Sequence, residues 1–291
     1  MNAVVYYLLI PFIYLLSVLP FPILYLKSDV FCFLLYHVFG YRKKVIRENL
    51  EHAFPEKTEA ERRKIEKQFY RHFCDVVFEM VKLLTLSRKE AQKRCTLEEN
   101  ARQMVKRYFQ QKKNIIWVMG HTGNWEMAAQ SFADLEGYQL NVLYRKLTNP
   151  YFDKLLYRVR SRFGAYPINV DDTFREMLRC KDTLNGTVFI ADQTAQPENC
   201  HWMKFLNRDT PIYMGTEVLA KKLEYVVIYS YIYKVSRGQY EMRMELITEN
   251  PSQLIDNQLT ETHVRLLERD IKAQPFNWLW SHRRWKYSKA R

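Results

Sequence analysis

Hydrophobic positions dominate the start of the chain. Residues 1–26 contain no charged side chain, and the apolar run from Val4 to Leu26 is long enough to cross a hydrocarbon layer of roughly 30 Å. A second apolar stretch, Val30 to Tyr41, is too short to cross by itself and is expected to lie in the interface or dock onto the protein. We therefore predict a membrane anchor over residues 1–41. The open alternative is a pair of buried core helices.

The sequence around this anchor indicates its shape and orientation. It lacks the basic start and the small-residue cleavage site of a signal peptide. Prolines at positions 11, 20 and 22 predict a tilted, kinked or partly re-entrant segment and not one straight helix. By the positive-inside rule, the basic residues that follow favour a cytoplasmic position for the rest of the chain. These residues are Arg42, Lys43, Lys44 and Arg47.

Apolar residues recur at helical spacing from residue 42 to 113. The pattern predicts helices between Lys43 and Leu84, divided by Pro55, and a further helix at about Leu97 to Gln111. The apolar face of the longer segment consists of Ile65, Phe69, Phe73, Val76, Val77 and Met80.

Short apolar strands alternate with helices from residue 114 onward. This order predicts an α/β fold with a central mixed, mainly parallel sheet flanked by helices. Active sites in such sheets lie where strands give way to loops. The predicted strands are Ile115 to Met119, Leu140 to Arg145, Thr187 to Ala191, Tyr225 to Lys234 and Gln239 to Ile247. The predicted helices are Trp125 to Leu135, Pro150 to Phe163, Thr173 to Lys181, Thr216 to Lys222 and Asp256 to Ala273.

The net charge of +13 indicates an anionic partner, which could be nucleic acid, anionic lipid or an acidic protein. Basic and acidic residues are interspersed through the body, so we expect no nucleic acid partner. A basic membrane-tethered binding module without chemistry remains an alternative. The five cysteines are an odd number without a C-x-x-C pair, and the histidines lack metal-ligand spacing. We therefore expect reduced thiols and no metal site, which also disfavours a metal-dependent hydrolase.

The candidate chemistry lies directly after the strand Ile115 to Met119. There the sequence is Gly120-His121-Thr122-Gly123-Asn124-Trp125-Glu126. Positions i and i+5 of a continuous helix lie on different faces, so His121 and Glu126 can meet only across a tight turn, which the two glycines permit. In that geometry Glu126 would bind one imidazole nitrogen, and the other nitrogen would take a proton from a substrate hydroxyl. The alternative is a structural histidine with a chance carboxylate nearby.

The same heptapeptide resembles the H-x4-D/E signature of glycerolipid-type acyltransferases. The chain resembles in particular the lipid A biosynthesis late acyltransferases, the lauroyl and myristoyl transferases, over nearly its whole length. Besides the apolar N-terminus, several blocks carry this resemblance in order. They are Arg47-Glu48-Asn49-Leu50 with Ala53-Phe54-Pro55, Tyr144-Arg145 with Asn149-Pro150, Ala191-Asp192-Gln193, and Trp280-Ser281-His282-Arg283-Arg284-Trp285.

The resemblance implies an enzyme that moves a fatty acyl chain from an acyl carrier protein thioester, or less often acyl-CoA, to a hydroxyl of a lipid A precursor. It implies no cofactor beyond this acyl donor. The implied partners are acyl carrier protein, an anionic lipid acceptor and the bilayer, at the cytoplasmic face of a bacterial inner membrane. Residues 42–291 would then form the acyltransferase domain, with a helical part at 42–113 and the α/β catalytic part at 114–291. Relatives that use the same pair acylate lysophospholipids, ornithine lipids or other lipids, so such acceptors are the alternative.

The resemblance also assigns roles to individual residues. His121 would be the general base and Glu126 its partner. Arg145 would lie near the phosphate or the developing oxyanion, and Asp192 would orient that arginine. Alternatively, Arg145 is an ordinary solvated arginine and Asp192 a helix cap. The other expected substrate contacts are Gly123 and Asn124.

The C-terminal block has a different interpretation. We assign Arg283 and Arg284 no catalytic role and expect an interfacial contact with anionic lipid. The rest of this expected contact consists of Lys286, Lys289, Arg291 and the three tryptophans from Trp278 to Trp285.

Overall fold

A computed structural model describes residues 2–132 and 135–287, without the side chains of Asn2, Glu136 and Asn199. Two apolar helices, α1 (Asn2–Val18) and α2 (Phe21–Phe33), open the chain, and a π-helical turn, Leu34–Val38, continues α2. The apolar pattern predicted one segment up to Leu26 and a second from Val30, but the helices divide at Pro20. Proline has no N–H to continue α1, and Pro20 is instead the extended residue from which α2 starts.

Four helices follow the apolar pair, and they confirm the helical character predicted for this region. The longest, α4, begins with a capping box in which Thr58 and Glu61 each accept a hydrogen bond from the other's backbone N–H. Pro55 lies between the first two of the four, as predicted. The helices are α3 (Lys43–Ala53), α4 (Glu59–Lys82), α5 (Arg88–Arg94) and α6 (Glu99–Gln110).

The main sheet has seven strands within the described residues, in the order β1-β9-β8-β2-β5-β3-β4. Each neighbouring pair is parallel except β8 and β9, which are antiparallel. The predicted mixed, mainly parallel α/β fold is therefore confirmed. The strands are β1 (Cys95–Leu97), β2 (Ile115–Met119), β3 (Gln139–Tyr144), β4 (Tyr166–Asn169), β5 (Asn185–Ile190), β8 (Val226–Ser236) and β9 (Gln239–Thr248), and a separate hairpin pairs β6 (Cys200–Phe205) with β7 (Arg208–Tyr213).

Helices cover both faces of this sheet. On β2, Trp117 and Met119 belong to one apolar cluster, whereas Ile116 and Val118 belong to the other. A strand buried on both faces reads as a continuous apolar run, which is how β2 appears in the sequence. The covering helices are α7 (Trp125–Ser131), α8 (Pro150–Ser161), α9 (Thr173–Arg179), α10 (Gly215–Leu223) and α11 (Gln258–Ala273).

The apolar helices at the N-terminus pack on the rest of the protein through α4. Rings of Tyr36 and Tyr70 lie 4.9 Å apart near one end of this contact. Near the other end, Lys82 donates to the carbonyl of Ser17 over 2.9 Å. Among the described residues, one helix, Phe21–Val38, meets the length and hydropathy expected of a membrane-crossing segment, which is weak evidence for a crossing. The boundary at residue 41 between anchor and enzyme domain stays a prediction.

Candidate active site

His121 and Asp192 are neighbours because they follow neighbouring parallel strands. Met119, the last residue of β2, lies opposite Ile190, the last residue of β5. The Ala191 N–H continues the pairing by donating to the Met119 carbonyl over 2.9 Å. His121 and Asp192 each come two positions beyond these strand ends, so the sheet brings them together at its carboxyl edge.

The carboxylate of Asp192 holds His121 at two points. Nδ1 of His121 lies 2.5 Å from Oδ1, and the backbone N–H of His121 donates to Oδ2 over 2.8 Å. Trp278 donates its indole N–H to the same Oδ2 over 2.7 Å. Burial acts to raise the pKa of Asp192, but the charge of His121 and these hydrogen bonds outweigh it and lower the pKa to about 2. An ionised Asp192 favours the tautomer with its proton on Nδ1, which leaves Nε2 unprotonated to act as a base. Nε2 lies 3.3 Å from the amide nitrogen of Gln193, which can donate to it.

Glu126 occupies a different position from the one predicted. Among the described residues, it forms no hydrogen bond with His121, and its carboxylate instead pairs with Arg160 of α8. The Arg160 Nε donates to Oε2 over 2.9 Å, and Nη2 donates to Oε1. Only 14% of the Arg160 side chain is exposed, and a buried cation is costly without a partner, which accounts for the different pairing. Burial would lower the pKa of Arg160, but Glu126 raises it.

Arg160 is a site residue that the sequence analysis missed. It lies four positions after Leu156, and both residues line the same cavity. Residues four apart share a helix face. Arg160 could therefore have been identified in the sequence as a charged residue on the apolar face of the predicted helix.

Gly123 and Asn124 hold the turn between β2 and α7. Gly123 has a φ of +56°, and a Cβ at this position would lie 2.4 Å from Ile232. Its N–H donates to the side chain of Asn277 over 3.1 Å. Asn124 is fully buried, and its Oδ1 accepts from the Met127 N–H as the N-cap of α7. These polar groups hydrogen-bond to other residues of the protein. The geometry therefore gives no support to the predicted substrate contacts of Gly123 and Asn124.

A buried carboxylate, Glu79 of α4, anchors this turn and was also missed. It accepts hydrogen bonds from Asn124 over 2.8 Å, from Tyr25 of α2 over 2.8 Å and from Tyr240 of β9 over 2.7 Å. Burial raises its pKa, although the three hydrogen bonds oppose this rise. Glu79 therefore links the N-terminal helices, the sheet and the turn that carries His121.

A cavity of about 570 Å³ opens beside His121. It lies on the face of the sheet covered by α7 and α8. Arg145 is exposed and lines this cavity, but its predicted orientation by Asp192 is not observed, because the Asp192 oxygens bind His121 and Trp278. The polar side chains of the wall include His121, Glu126, Arg160 and Gln193. Much of the apolar wall comes from Trp117, Met119, Phe132, Leu135, Leu140, Val142, Leu156, Met242 and Met244.

The C-terminal block is mostly internal, which makes the predicted lipid contact wrong for several of its residues. Arg284 is 1% exposed, and burial lowers its pKa to about 10. Trp278 and Trp280 are equally buried. Arg283 and Lys286 are exposed, so their contact with lipid stays a prediction. Lys289 and Arg291 lie outside the described residues.

The described part of the chain contains no cluster of three or more His, Cys, Asp or Glu residues that could hold a metal ion. Its five cysteines are free thiols.

Comparison with known proteins agrees with the resemblance noted in the sequence. The sequence model of the family described as bacterial lipid A biosynthesis acyltransferase matches residues 1–287. A comparison with the curated proteins finds no match.

Proposed function

This chain belongs to the bacterial lipid A biosynthesis acyltransferase family, and we propose that it moves a fatty acyl chain from an acyl carrier protein thioester to a hydroxyl of a lipid A precursor. Family membership supports acyl transfer to a lipid. The observation that carries the proposed mechanism is the pairing of His121 with Asp192 at the wall of an apolar cavity.

His121 is the general base in this mechanism. Its Nδ1 is committed to Asp192, so Nε2 accepts the proton of the acceptor hydroxyl while the hydroxyl oxygen attacks the thioester carbonyl. The tetrahedral intermediate then collapses, the C–S bond breaks, and the proton on Nε2 passes to the departing sulfur. The products are the ester and the free carrier thiol. Asp192 stabilises the imidazolium that forms between these steps.

Arg160 stabilises the oxyanion of the tetrahedral intermediate, and Glu126 holds it in place. Glu126 binds Nε and Nη2 of the guanidinium, which leaves Nη1 for the substrate. Because the guanidinium is already held in position before the reaction, it does not have to reorient when the oxyanion develops. In this scheme Glu126 acts through Arg160, and not through His121 as its place in the motif predicted.

The cavity beside His121 accommodates the acyl chain. Its volume of about 570 Å³ lies within the range typical of small-molecule sites, roughly 300–1,000 Å³. The exposed Arg145 meets the anionic group of the acceptor or of the carrier protein, and the net charge of +13 attracts both. We place the reaction at the cytoplasmic face of the inner membrane, where the apolar N-terminus associates with lipid.

A lysophospholipid or an amino-acid lipid such as an ornithine lipid is the alternative acceptor, because the same His–Asp pair can activate any lipid hydroxyl. A transfer assay with labelled acyl carrier protein thioester, containing a lipid A precursor and a lysophospholipid as rivals, separates these acceptors. We expect label on the lipid A precursor and its loss in His121→Ala. Label only on the lysophospholipid would mean that the acceptor is a lysophospholipid and not a lipid A precursor. Full activity of a folded His121→Ala protein overturns the mechanism.

A further inference from the structure

The outward faces of α1 and α2 are rich in exposed apolar side chains. Residues 2–38, which we call the N-terminal helix pair, expose large hydrophobic side chains with accessibilities of 55% to 65% at ten positions. Soluble monomers rarely expose so many large apolar side chains in one patch. The positions are Val4, Tyr7, Leu8, Phe12, Leu15 and Val18 on α1, Leu26, Val30 and Phe33 on α2, and Val38 in the π-helical turn.

The opposite face of the pair is attached to the protein by polar contacts. Ser28 donates to the buried Asp75 over 2.9 Å, and Tyr25 donates to the buried Glu79 over 2.8 Å. Lys82 donates to the Ser17 carbonyl over 2.9 Å. In these contacts the residue numbers rise along the N-terminal helix pair while they fall along α4. Helix α2 therefore packs antiparallel against α4. Were α2 to cross a bilayer, α4 and its charged groups would be drawn into hydrocarbon, which is strongly unfavourable.

The apolar surface continues from α1 onto α8. The Tyr6 ring lies 5.5 Å from the ring of Tyr151 and 5.2 Å from that of Phe152. Leu147, just before α8, and Tyr157, within it, are 45% and 38% exposed. Leu147 also lines the cavity beside His121. The cavity therefore opens next to exposed apolar side chains that adjoin α1.

We propose that the outward face of the N-terminal helix pair, continued by α8, embeds in one leaflet of an anionic bilayer, with both helices parallel to the membrane plane. This inference rests on the membrane association proposed above and specifies its geometry. Lys27 and Asp29 are the only Lys, Arg, Asp or Glu residues before position 42, and Asp29 pairs with Arg237. A face nearly free of charge fits hydrocarbon. The next residues, Arg42, Lys43 and Lys44, fit anionic headgroups.

Spin-label depth measurements distinguish this arrangement from a crossing helix. The full chain, with Cys32 and Cys200 replaced by serine, receives single cysteines in place of four residues along one outward stripe of α1. The labelled proteins are reconstituted in phosphatidylethanolamine and phosphatidylglycerol vesicles, and collision with oxygen and with a nickel chelate reports depth. The four positions are Val4, Leu8, Phe12 and Leu15.

We expect similar, shallow depths at all four positions, and water exposure at Ile255→Cys, an apolar control position that is 75% exposed. A depth that reaches the bilayer centre in mid-helix and falls at both ends overturns the proposal. So does water exposure at all four, or burial of the stripe against a second copy of the chain. The depth measurement does not depend on turnover. An inactive protein with shallow labels would therefore support the proposed membrane surface and contradict only the proposed transfer reaction.

Charge substitutions test the same surface by partitioning. We expect Phe12→Glu with Phe33→Glu to weaken vesicle binding by about tenfold or more, because a carboxylate is costly in hydrocarbon. Ile255→Glu, which lies at an exposed position outside the surface, should bind like the parent protein. Unchanged partitioning of the double variant contradicts the proposal.

Discussion

The Nδ1 atom of His121 lies 2.5 Å from Oδ1 of Asp192, across the ends of two neighbouring strands. The partners are 71 positions apart in the sequence, whereas the carboxylate that the motif offers, Glu126, serves Arg160. The signature thus contains one member of each of two pairs. In the mechanism proposed here, one pair moves the proton and the other binds the negative charge.

Removing the charge of Asp192 tests the first pair. We expect Asp192→Asn to lower kcat by about 10²–10³-fold, because the amide neither favours the correct tautomer nor stabilises the imidazolium. Transfer rates with saturating donor measure the effect, and a thermal unfolding curve shows whether the variant folds. Asp171→Asn, which changes another carboxylate of the cavity wall, is the matched control. A rate within a few-fold of wild type would remove Asp192 from the mechanism.

The second pair is tested by a double-mutant cycle. We expect Glu126→Gln and Arg160→Gln each to lower kcat/KM by about 10²-fold, and the double variant to be little worse than the poorer single variant. The reason is that Glu126 acts by holding Arg160. Losses that multiply in the double variant would mean that the two residues act independently.

The floor of the cavity is expected to set acyl chain length. Leu140 lies at the start of β3, away from the carboxyl edge that carries His121. We expect Leu140→Ala to raise relative kcat/KM for a longer acyl chain by roughly tenfold, at a stability cost of about 2–5 kcal/mol. Competition between thioesters of different length measures this preference. Ile116→Ala opens space on the opposite face of the sheet and should leave chain preference unchanged.

Glu79 should be important for stability as well as for the position of the turn. In Glu79→Ala two buried donors and the partly buried Tyr25 hydroxyl lose their acceptor, so we expect a loss of about 3 kcal/mol or more in the free energy of unfolding. Denaturant titration in detergent measures it. Glu59→Ala at the exposed start of α4 should change stability by less than about 1 kcal/mol. Equal effects of the two substitutions would contradict the role assigned to Glu79.

Acid should destabilise the protein partly through His263 of α11. Burial lowers its pKa from 6.5 to about 4, so the folded state binds fewer protons than the unfolded chain between these values. The resulting stability is present above pH 6.5 and is lost as the pH falls to about 4, by up to about 3 kcal/mol. His72 acts with the same sign, since burial lowers its pKa too.

Unfolding of His263→Gln at several pH values tests this account. Its stability should depend less on pH in this interval than that of wild type, whereas His52→Gln, at an exposed position, should match wild type. An unchanged slope in His263→Gln would assign the acid sensitivity to other groups.

Much of the fold could be predicted from local pattern. Ile115 to Met119 reads as a buried strand because both of its faces are apolar, and the structure has a strand with those bounds. Strands β1 and β4 were missed because three or four residues are too few to show a period. The division between the first two helices was predicted at the charged residues Lys27 and Asp29, because these interrupt the apolar run. The helices divide at Pro20 instead, because proline lacks the backbone N–H that would continue α1, and hydropathy does not register this loss.

The site was less predictable, because its pairings depend on tertiary contacts. His121 was identifiable from its place after an apolar strand, but which carboxylate meets its ring depends on strand order. Asp192 follows β5, and only the adjacency of β2 and β5 brings it to His121. Glu79 had no local signal, since a glutamate in a long amphipathic helix usually faces solvent.

The hydrogen bond from Tyr25 to Glu79 has a practical consequence for handling the enzyme. Deleting the apolar residues at the N-terminus is the obvious route to a water-soluble preparation. The deletion would strip Glu79 of one donor and uncover the apolar side of α4, while Glu79 also holds Asn124 beside the catalytic turn. The shortened protein should therefore lose activity and aggregate. Purification should keep these helices and supply a detergent or a lipid nanodisc to cover them.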